Sequence, residues 1–221
     1  MPDELDAHGI RTAWLARLLC TQLGLPRDHS AIVVRSARTH DVGKRFLPDG
    51  LLDKPGALTP TERAQMERHC ILGANRLAKG QTRIEDMPEE AVVALLHHEW
   101  WDGQGYPFGL AGDEIPRAAR IVAVADVLDA LLTARSYKPA WPLDFALDHI
   151  WQRRGTQFDP RCAEALMDVA SSLPPQWRAM ALGRRVRVPA RRLASGDAAG
   201  RSLSTGVTEA AAGGHSLQSG L

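Results

Sequence analysis

The sequence predicts an all-α fold, a bundle of about seven helices around a central buried helix. Apolar residues recur at helical spacing along most of the chain, whereas no segment shows the alternation that is typical of a strand. Glycine and proline interrupt this spacing where short helices would be joined by loops. One segment, about residues 116–134, is apolar on nearly every face. Such a helix is buried in the centre of a domain, and the other helices are expected to surround it.

The first two helices are predicted from their apolar spacing and from the residues that end them. The first covers about residues 3–24 and ends at Gly24 and Pro26, since proline cannot continue a helix. The second covers roughly residues 28–41, and Gly43 follows it as a helix breaker. A histidine and an aspartate, at positions 40 and 41, therefore lie at a helix end.

A loop and a third helix follow. Residues 46–59 contain two prolines and two glycines and are predicted as a loop. Thr59 is then an N-cap, with Pro60 at the first helical position and Glu62 three residues after the cap, as in a capping box. The helical repeat places four residues of this helix on one face: Met66, His69, Gly73 and Leu77.

The rest of the chain continues in the same way. A fourth helix begins at Pro88, with two glutamates in its first turn, where the helix dipole favours negative charge. Residues 100–114 are rich in glycine and are predicted as a loop. The remaining helices are predicted at residues 88–99, 116–134, 142–153 and 159–172, with a short one near 175–182.

Composition indicates one globular domain with an appendage. Of the 221 residues, 44% are hydrophobic and 24% are charged, as in an ordinary globular protein. The domain is predicted at residues 1–183. Residues 184–221 begin with arginines and continue as a Gly/Ala/Ser-rich stretch, which predicts a disordered tail. Because Lys plus Arg number 27 and Asp plus Glu number 26, no overall field attracts DNA or an anionic membrane.

The chain is predicted to be cytoplasmic. Acidic residues stand where a secretory signal would be basic, and no apolar run approaches the roughly 18 residues that span a bilayer. The cysteines Cys20, Cys70 and Cys162 are widely spaced and fit neither a disulfide framework nor a CxxC zinc pattern. Buried, reduced thiols are therefore expected.

A neighbouring pair, His40 and Asp41, is the most informative feature for function. Such a pair can bind two ions at once, and residues of matching chemistry lie before and after it. Five of the eight histidines belong to this set, and that concentration predicts a polynuclear metal site. The predicted ligands are His8, His40, Asp41, His69, His97, His98 and Asp126.

The central helix supplies an independent reason to expect a cation. Asp126 and Asp129 are three residues apart and share one face of this apolar helix. An ionised carboxylate in an apolar interior costs several kcal/mol unless a partner neutralises it. A bound cation would neutralise Asp126, and an ion pair with Arg120 or Arg38 is the alternative.

The types of donor indicate which ions the site would hold. Glu4 lies one helical turn before His8, so that its carboxylate points the same way. Cys70 is expected to point to a different face from His69 and to pack in the core. Nitrogen and oxygen donors without a thiolate suit iron, manganese or another first-row dication better than a structural zinc site. Imidazoles and carboxylates around neighbouring ions are typical of two-metal phosphoesterases.

The segments around these residues resemble the HD-GYP family. Residues 40–44 read HDVGK and residues 97–107 read HHEWWDGQGYP, like the two signatures of that family, and the resemblance covers roughly residues 4–170. It implies an HD-type helical bundle and a metal-dependent cyclic dinucleotide phosphodiesterase. Such a hydrolase opens cyclic di-GMP to linear pGpG, and to GMP by a second cut, through a metal-activated hydroxide. The resemblance also implies about two or three divalent ions, iron or manganese.

The resemblance assigns roles residue by residue. Glu4 would join the ligands named above, because it matches the carboxylate of members that hold a third metal. Asp41 and Lys44 would be catalytic, with Lys44 supplying positive charge to the developing oxyanion. The substrate-binding residues would be Gly105, Tyr106, Pro107, Arg135 and Lys138. Without the family pattern, the loop residues among these could form a simple turn, and the two cations a solvated helix end.

Two other functions fit the same residues. The domain could bind a cyclic dinucleotide and signal without turnover, or it could be an HD-type phosphohydrolase of another nucleotide. His69, the His97–His98 pair and the Gly-Tyr-Pro loop favour the phosphodiesterase. The expected partners are a cyclic dinucleotide substrate and a sensory or signalling protein, with no DNA or membrane, and a homodimer stays open.

Overall fold

Helices form every regular element that the structure, a computed structural model of the chain, describes. The described residues are 4–134 and 139–173, and within them there is no strand, only two isolated β-bridges. This confirms the predicted all-α fold. The α-helices are α1 (Glu4–Gln22), α2 (Arg27–Thr39), α3 (Pro60–Glu67), α4 (His69–Leu77), α5 (Glu89–Leu96), α6 (Arg117–Leu132), α7 (Leu143–Gln152) and α8 (Pro160–Val169).

The predicted third helix is divided in the structure. The capping box at its start is confirmed, since Thr59 Oγ1 accepts from the amide of Glu62 and the Glu62 carboxylate accepts from the amide of Thr59. The chain turns at Arg68, however, where the amide bonds to the carbonyls of Gln65 and Met66, and α4 begins afresh at the next residue. The prediction of one continuous helix was therefore wrong, and His69 lies at a helix start.

Helix α6 is the centre of the fold, as predicted. It packs against α1, α2, α5, α7 and α8. Its fully buried side chains include Ile121, Val122, Val124, Ala125 and Leu128. Burial of each large apolar side chain contributes roughly 1.5–3 kcal/mol. The same helix also buries Asp126 and Asp129, so the core holds carboxylates that must be neutralised by their neighbours.

The chain leaves the α-helical conformation after α2 and again after α5. A short 3₁₀ helix, Val42–Phe46, follows α2 and lies on α4. Helix α5 stops at Leu96, three residues earlier than the predicted helix, so the two histidines that follow lie in a turn.

Within the described residues, no helix combines the length and the apolar character that crossing a membrane requires.

Some predictions fall on residues that the structure does not describe. These are the short helix near 175–182, the tail at 184–221, and the substrate-binding residues Arg135 and Lys138. The domain boundary at residue 183 likewise stays a prediction. The three cysteines are described, and all are buried and free of disulfides, as predicted.

Candidate metal centre

Side chains from five parts of the fold meet beside α6. They come from α1, from the end of α2, from the start of α4, from the end of α5 and from α6 itself. All of them are buried. Apart from the α1 and α6 residues, they stand at helix ends, where the backbone can turn their rings and carboxylates inward. The residues are His8, His40, Asp41, His69, His97 and Asp126.

The carboxylate of Asp41 lies between two pairs of imidazoles. Its Oδ2 atom is 3.4 Å from Nε2 of His40 and 3.6 Å from Nε2 of His8. Its Oδ1 atom is 3.4 Å from Nε2 of His69 and 3.7 Å from Nε2 of His97. One carboxylate therefore faces a separate pair of nitrogens with each of its oxygens, the arrangement that a bridge between two ions requires.

Asp126 completes the first of these groups. Its Oδ1 atom is 3.1 Å from Nε2 of His8 and 3.6 Å from Nε2 of His40. Neither alternative partner of Asp126 is supported: Arg120 pairs with Asp113 and Asp159, in each case at 2.8 Å, and the side chain of Arg38 is exposed. The buried charge of Asp126 is therefore balanced by histidines, as the metal-site hypothesis expects.

The backbone fixes which nitrogen each ring presents to the cluster. Three of the rings place Nδ1 close to a backbone carbonyl oxygen of the preceding turn. The distance is 2.7 Å for His40, 2.7 Å for His69 and 3.1 Å for His97. A carbonyl oxygen only accepts, so each Nδ1 must donate its proton there. In the neutral ring, Nε2 then carries a lone pair that points at the carboxylates, as it does in metal-ligating histidines.

Charges divide the cluster into two halves. Burial by itself lowers the pKa of His40, but the charges of Asp41 and Asp126 outweigh it and raise that pKa to about 10. Burial dominates at His69 and lowers its pKa to about 4. Burial opposes ionisation of Asp41 as well, yet Lys44 and His40 hold its pKa well below the ordinary value. A cation that binds beside His40 must displace a proton, so its affinity falls with falling pH.

The half around His69 contains more acceptors than donors. Nε2 of His69 and Nε2 of His97 face each other at 3.5 Å. Burial lowers the pKa of both rings and so favours their neutral form, in which each donates through Nδ1. Oδ1 of Asp41, which faces both, is buried and has no hydrogen-bond partner. A buried acceptor without a donor costs about 1–3 kcal/mol, more when it is charged. A divalent cation would satisfy all three atoms, and the residues present therefore fit a metal.

His98 extends this half towards the glycine-rich loop. Its ring lies 4.1 Å from the ring of His97 and 5.0 Å from that of His69, measured between centroids. The other face of His98 stacks on Tyr106 at 4.8 Å. His69, His97 and His98 can each place a donor atom within 4.8 Å of the others.

Cys70 differs from its prediction. It is buried, as expected, but its sulfur does not point away from the cluster: Sγ is 3.5 Å from Nε2 of His69. The reason is that α4 begins at His69, so the ring folds back towards the preceding turn and the sulfur reaches the same space. The sulfur belongs to the group of donor atoms formed with His69, His97 and His98.

Glu4 is not brought to the cluster. Its side chain is 75% exposed, and its Oε1 accepts a hydrogen bond of 2.9 Å from Arg11. Arg11 lies between Glu4 and the cluster, because it also donates to both carboxylate oxygens of Asp129, at 2.7 and 3.0 Å. The geometry therefore differs from the predicted role of Glu4 as a ligand of a third ion.

Arg11 and Asp129 hold His8 in place. The buried Asp129 accepts from Nδ1 of His8 at 2.7 Å, which leaves Nε2 for the cluster. Carboxylate–histidine pairs of this kind orient metal ligands. The signal for Arg11 was present, since it lies three residues after His8 on the same face of α1.

Lys44 lies beside the carboxylate of Asp41. Its Nζ is 2.5 Å from Oδ2 of Asp41, and its side chain is 21% exposed. The ammonium group therefore stands at the boundary between the buried carboxylate and the solvent. From there it can reach an anion that approaches the cluster from outside.

The Gly-Tyr-Pro loop is held against the cluster by one carboxylate. Glu99, which is buried, accepts from the amides of Phe108 at 2.7 Å and of Leu110 at 3.0 Å. Gly105 lies so close to the backbone of His98 and Glu99 that a Cβ atom there would overlap it. The loop therefore approaches the cluster through a position that only glycine can fill.

Replacing Glu99 by Gln is expected to lower the free energy of unfolding by about 1–3 kcal/mol, because an amide group can accept only one of the two loop hydrogen bonds. Denaturant unfolding of both proteins measures this difference. Glu114→Gln is the matched control, since the exposed Glu114 accepts a single loop amide, that of Ala111. We expect that control to change by less than about 0.5 kcal/mol. Equal effects of the two changes would contradict the role given to Glu99.

The chain is similar in sequence to a known domain family and to several characterised proteins. A family model described as HD domain matches residues 2–162. The cyclic di-GMP phosphodiesterase response regulator RpfG of Xanthomonas campestris pv. campestris is 48% identical over 157 residues, 71% of this chain and 41% of the relative. The 3'3'-cGAMP-specific phosphodiesterase 2 of Vibrio cholerae is 38% identical over 165 residues, 75% of this chain and 31% of the relative. The chain thus spans less than half of either relative.

A solved structure agrees with the fold. Bd1817, an HDG"Y"P protein from Bdellovibrio bacteriovorus, matches with a TM-score of 0.60 at 21% sequence identity, over 76% of this chain and 52% of that protein. At this level of identity the likeness concerns the fold alone. It supports the helical arrangement that brings the histidines and aspartates together.

Proposed function

The chain belongs to the HD domain family, and on that premise we propose that it is a metal-dependent phosphodiesterase that hydrolyses cyclic di-GMP. The products would be linear pGpG and, after a second cut, GMP. The substrate class is supported by the relatives, which are named for the hydrolysis of cyclic di-GMP and of 3'3'-cGAMP.

The observation that carries this proposal is the position of Asp41. Its two oxygens face two separate groups of imidazole nitrogens, and one of those oxygens has no hydrogen-bond donor. A carboxylate shared in this way fits a pair of divalent ions. Two metal ions about 3.5–4 Å apart, held by imidazoles and carboxylates, are the usual centre of enzymes that hydrolyse phosphoesters.

We propose two sets of ligands that share Asp41. His8, His40 and Asp126 would hold one ion, and His69, His97 and His98 the other. Iron or manganese fits both sets, because all of these donors are nitrogen or oxygen atoms. Bound ions of this kind lower the pKa of a water molecule and neutralise the oxygens of a phosphodiester. The third ion predicted through Glu4 gains no support from the geometry, since that carboxylate is turned to Arg11.

The protein's own residues would position the substrate and balance its charge. Lys44 lies beside Asp41 with its ammonium group partly exposed, so it can bond an oxygen of the scissile phosphate as negative charge develops there. Tyr106, stacked on His98, would line the pocket next to a base or ribose. Arg135 and Lys138 are proposed to bind the phosphates, as a fork and a point charge. A sensory partner protein and a homodimer stay predictions.

Hydrolysis of cyclic di-GMP by the purified full chain, grown with added iron or manganese, tests the proposal. We expect linear pGpG to appear and about two ions per chain to be found in the same sample. Cyclic GMP-AMP, assayed in parallel, tells which dinucleotide is preferred. Metal without turnover of either substrate would contradict the enzyme and favour a binding module. A protein that binds no metal would contradict the ligand sets themselves.

A further inference from the structure

Cys70 supplies a donor of a different chemical type to one half of the cluster. We propose that its thiolate is a further ligand of the ion held by His69, His97, His98 and Asp41, so that the two ions occupy chemically different sites. This inference rests on the metal centre of the proposed function, and it changes that centre from a nitrogen and oxygen site to a mixed one containing sulfur.

The distances around His69 are those of atoms that share one ion. On a tetrahedral ion with bonds of about 2.0–2.1 Å to nitrogen and about 2.3 Å to sulfur, two nitrogens lie about 3.4 Å apart, and nitrogen and sulfur about 3.6 Å. Nε2 of His69 is 3.5 Å from Nε2 of His97 and 3.5 Å from Sγ of Cys70. It is also 3.4 Å from Oδ1 of Asp41. The separations from His69 therefore match those between donor atoms that bind one ion.

A second, independent observation shows that this space calls for a cation. Oδ1 of Asp41 is buried and has no hydrogen-bond partner, and it faces the nitrogens of His69 and His97 at 3.4 and 3.7 Å. The nitrogens present lone pairs, so none of them can donate to the oxygen. A thiol would not satisfy these acceptors either, because the one proton on sulfur can serve only one of them.

The other cysteines show what an ordinary buried thiol looks like in this fold. Cys20 and Cys162 lie within the large apolar cluster around α6, in contact with other hydrophobic side chains. Cys70 is equally buried but belongs to neither apolar cluster of the described residues. Its sulfur lies instead beside the imidazoles of His69, His97 and His98. Apolar packing therefore accounts for the first two cysteines but not for the third.

A thiolate would make the two halves prefer different metals. On binding, the thiol of Cys70 loses its proton to solvent and the sulfur forms a bond to the ion, with no change in oxidation state. Thiolate favours zinc, cobalt(II) or iron(II) over manganese, which prefers oxygen donors. The half formed by His8, His40 and Asp126 keeps its nitrogen and oxygen set and would accept manganese more readily.

Cobalt(II) titration of the reduced, metal-free full chain tests the assignment without an activity measurement. We expect an intense near-ultraviolet band from charge transfer between sulfur and cobalt. The band should disappear in Cys70→Ser, which keeps the size of the side chain but not its soft donor, and should remain in the control variant Cys162→Ser. Zn²⁺ affinity should fall at least tenfold in Cys70→Ser, about the smallest loss expected when a metal ligand's support is removed. Mn²⁺ affinity should change much less.

The outcomes separate this inference from the proposed function. A band that depends on Cys70 supports the ligand, whether or not the protein hydrolyses cyclic di-GMP. Cobalt bound without such a band, or with one that persists in Cys70→Ser, overturns the thiolate and leaves the phosphodiesterase proposal standing. A chain that binds no cobalt overturns the thiolate together with the ligand sets. Circular dichroism of Cys70→Ser shows whether a lost band reflects lost folding.

Discussion

Asp41→Asn should abolish hydrolysis of cyclic di-GMP and deplete the protein of metal. Both oxygens of Asp41 face imidazole nitrogens, so one substitution reaches both halves of the cluster. Asparagine keeps the shape but removes the charge, and its amide nitrogen would face either Lys44 or the nitrogens of His69 and His97 with protons instead of a lone pair. We expect the rate to fall by at least about 10³-fold, the upper end of the loss when one preorganised catalytic group is removed.

Metal analysis and turnover must be measured on the same preparation, because the two losses have one cause. Asp148→Asn is a suitable control: this exposed carboxylate on α7 makes the same change of charge outside the cluster. It should keep both metal and activity. Retained hydrolysis in Asp41→Asn, or in the more drastic Asp41→Ala, would show that the site has been placed on the wrong residues.

Much of this cluster could be predicted because its signals are local. The adjacency of His40 and Asp41 and their place at a helix end follow from the sequence through helical spacing and breaker residues, whereas α5 ends three residues before the predicted position. The apolar character of α6 likewise predicted a centre in which a carboxylate such as Asp126 needs a partner. These inferences needed only the helical repeat and the cost of burying charge.

Other features depend on partners that are distant in the sequence. Glu4 and His8 share a face of α1, but whether the carboxylate reaches a metal depends on Arg11, which Asp129 of α6 holds between them. The direction of Cys70 depends on the helix restarting at the preceding residue. Helical spacing assumes a continuous helix, so it could not show that the sulfur turns towards the cluster.

Gly43 is the strongest case of a residue whose reason lies in tertiary packing. The sequence predicts it as a helix breaker, whereas the structure places it, buried, in the 3₁₀ helix Val42–Phe46, where that helix crosses α4. A Cβ atom there would overlap the carbonyl oxygen of His69 and would lie 2.5 Å from the amide nitrogen of Gly73. Both are backbone atoms, so neither can rotate away. The close approach joins the segment that carries Asp41 to the helix that carries His69.

Gly43→Ala should therefore reduce both stability and metal binding. Relieving the overlap must separate the 3₁₀ helix from α4, and we expect the free energy of unfolding to fall by about 3 kcal/mol or more, the upper range for overpacking. The same shift moves Asp41 away from His69, and displacements of about 1 Å can cost roughly 10²-fold in rate. Denaturant unfolding and metal analysis measure the two effects, and an insoluble product would itself show the loss of stability.

Gly80→Ala separates this crowding from the loss of a glycine as such. Gly80 has a φ of 86°, and a Cβ atom added there would meet no other atom within 4 Å. Alanine at this position should lower the free energy of unfolding only through backbone strain, by about 1–2 kcal/mol, and should leave the metal content unchanged. If Gly43→Ala were no less stable than Gly80→Ala and kept its full metal content, the contact between the 3₁₀ helix and α4 could not be what sets the distance between Asp41 and His69. The expected order, with Gly43→Ala the worse in both measurements, follows because its overlap lies between the two segments that hold the cluster together.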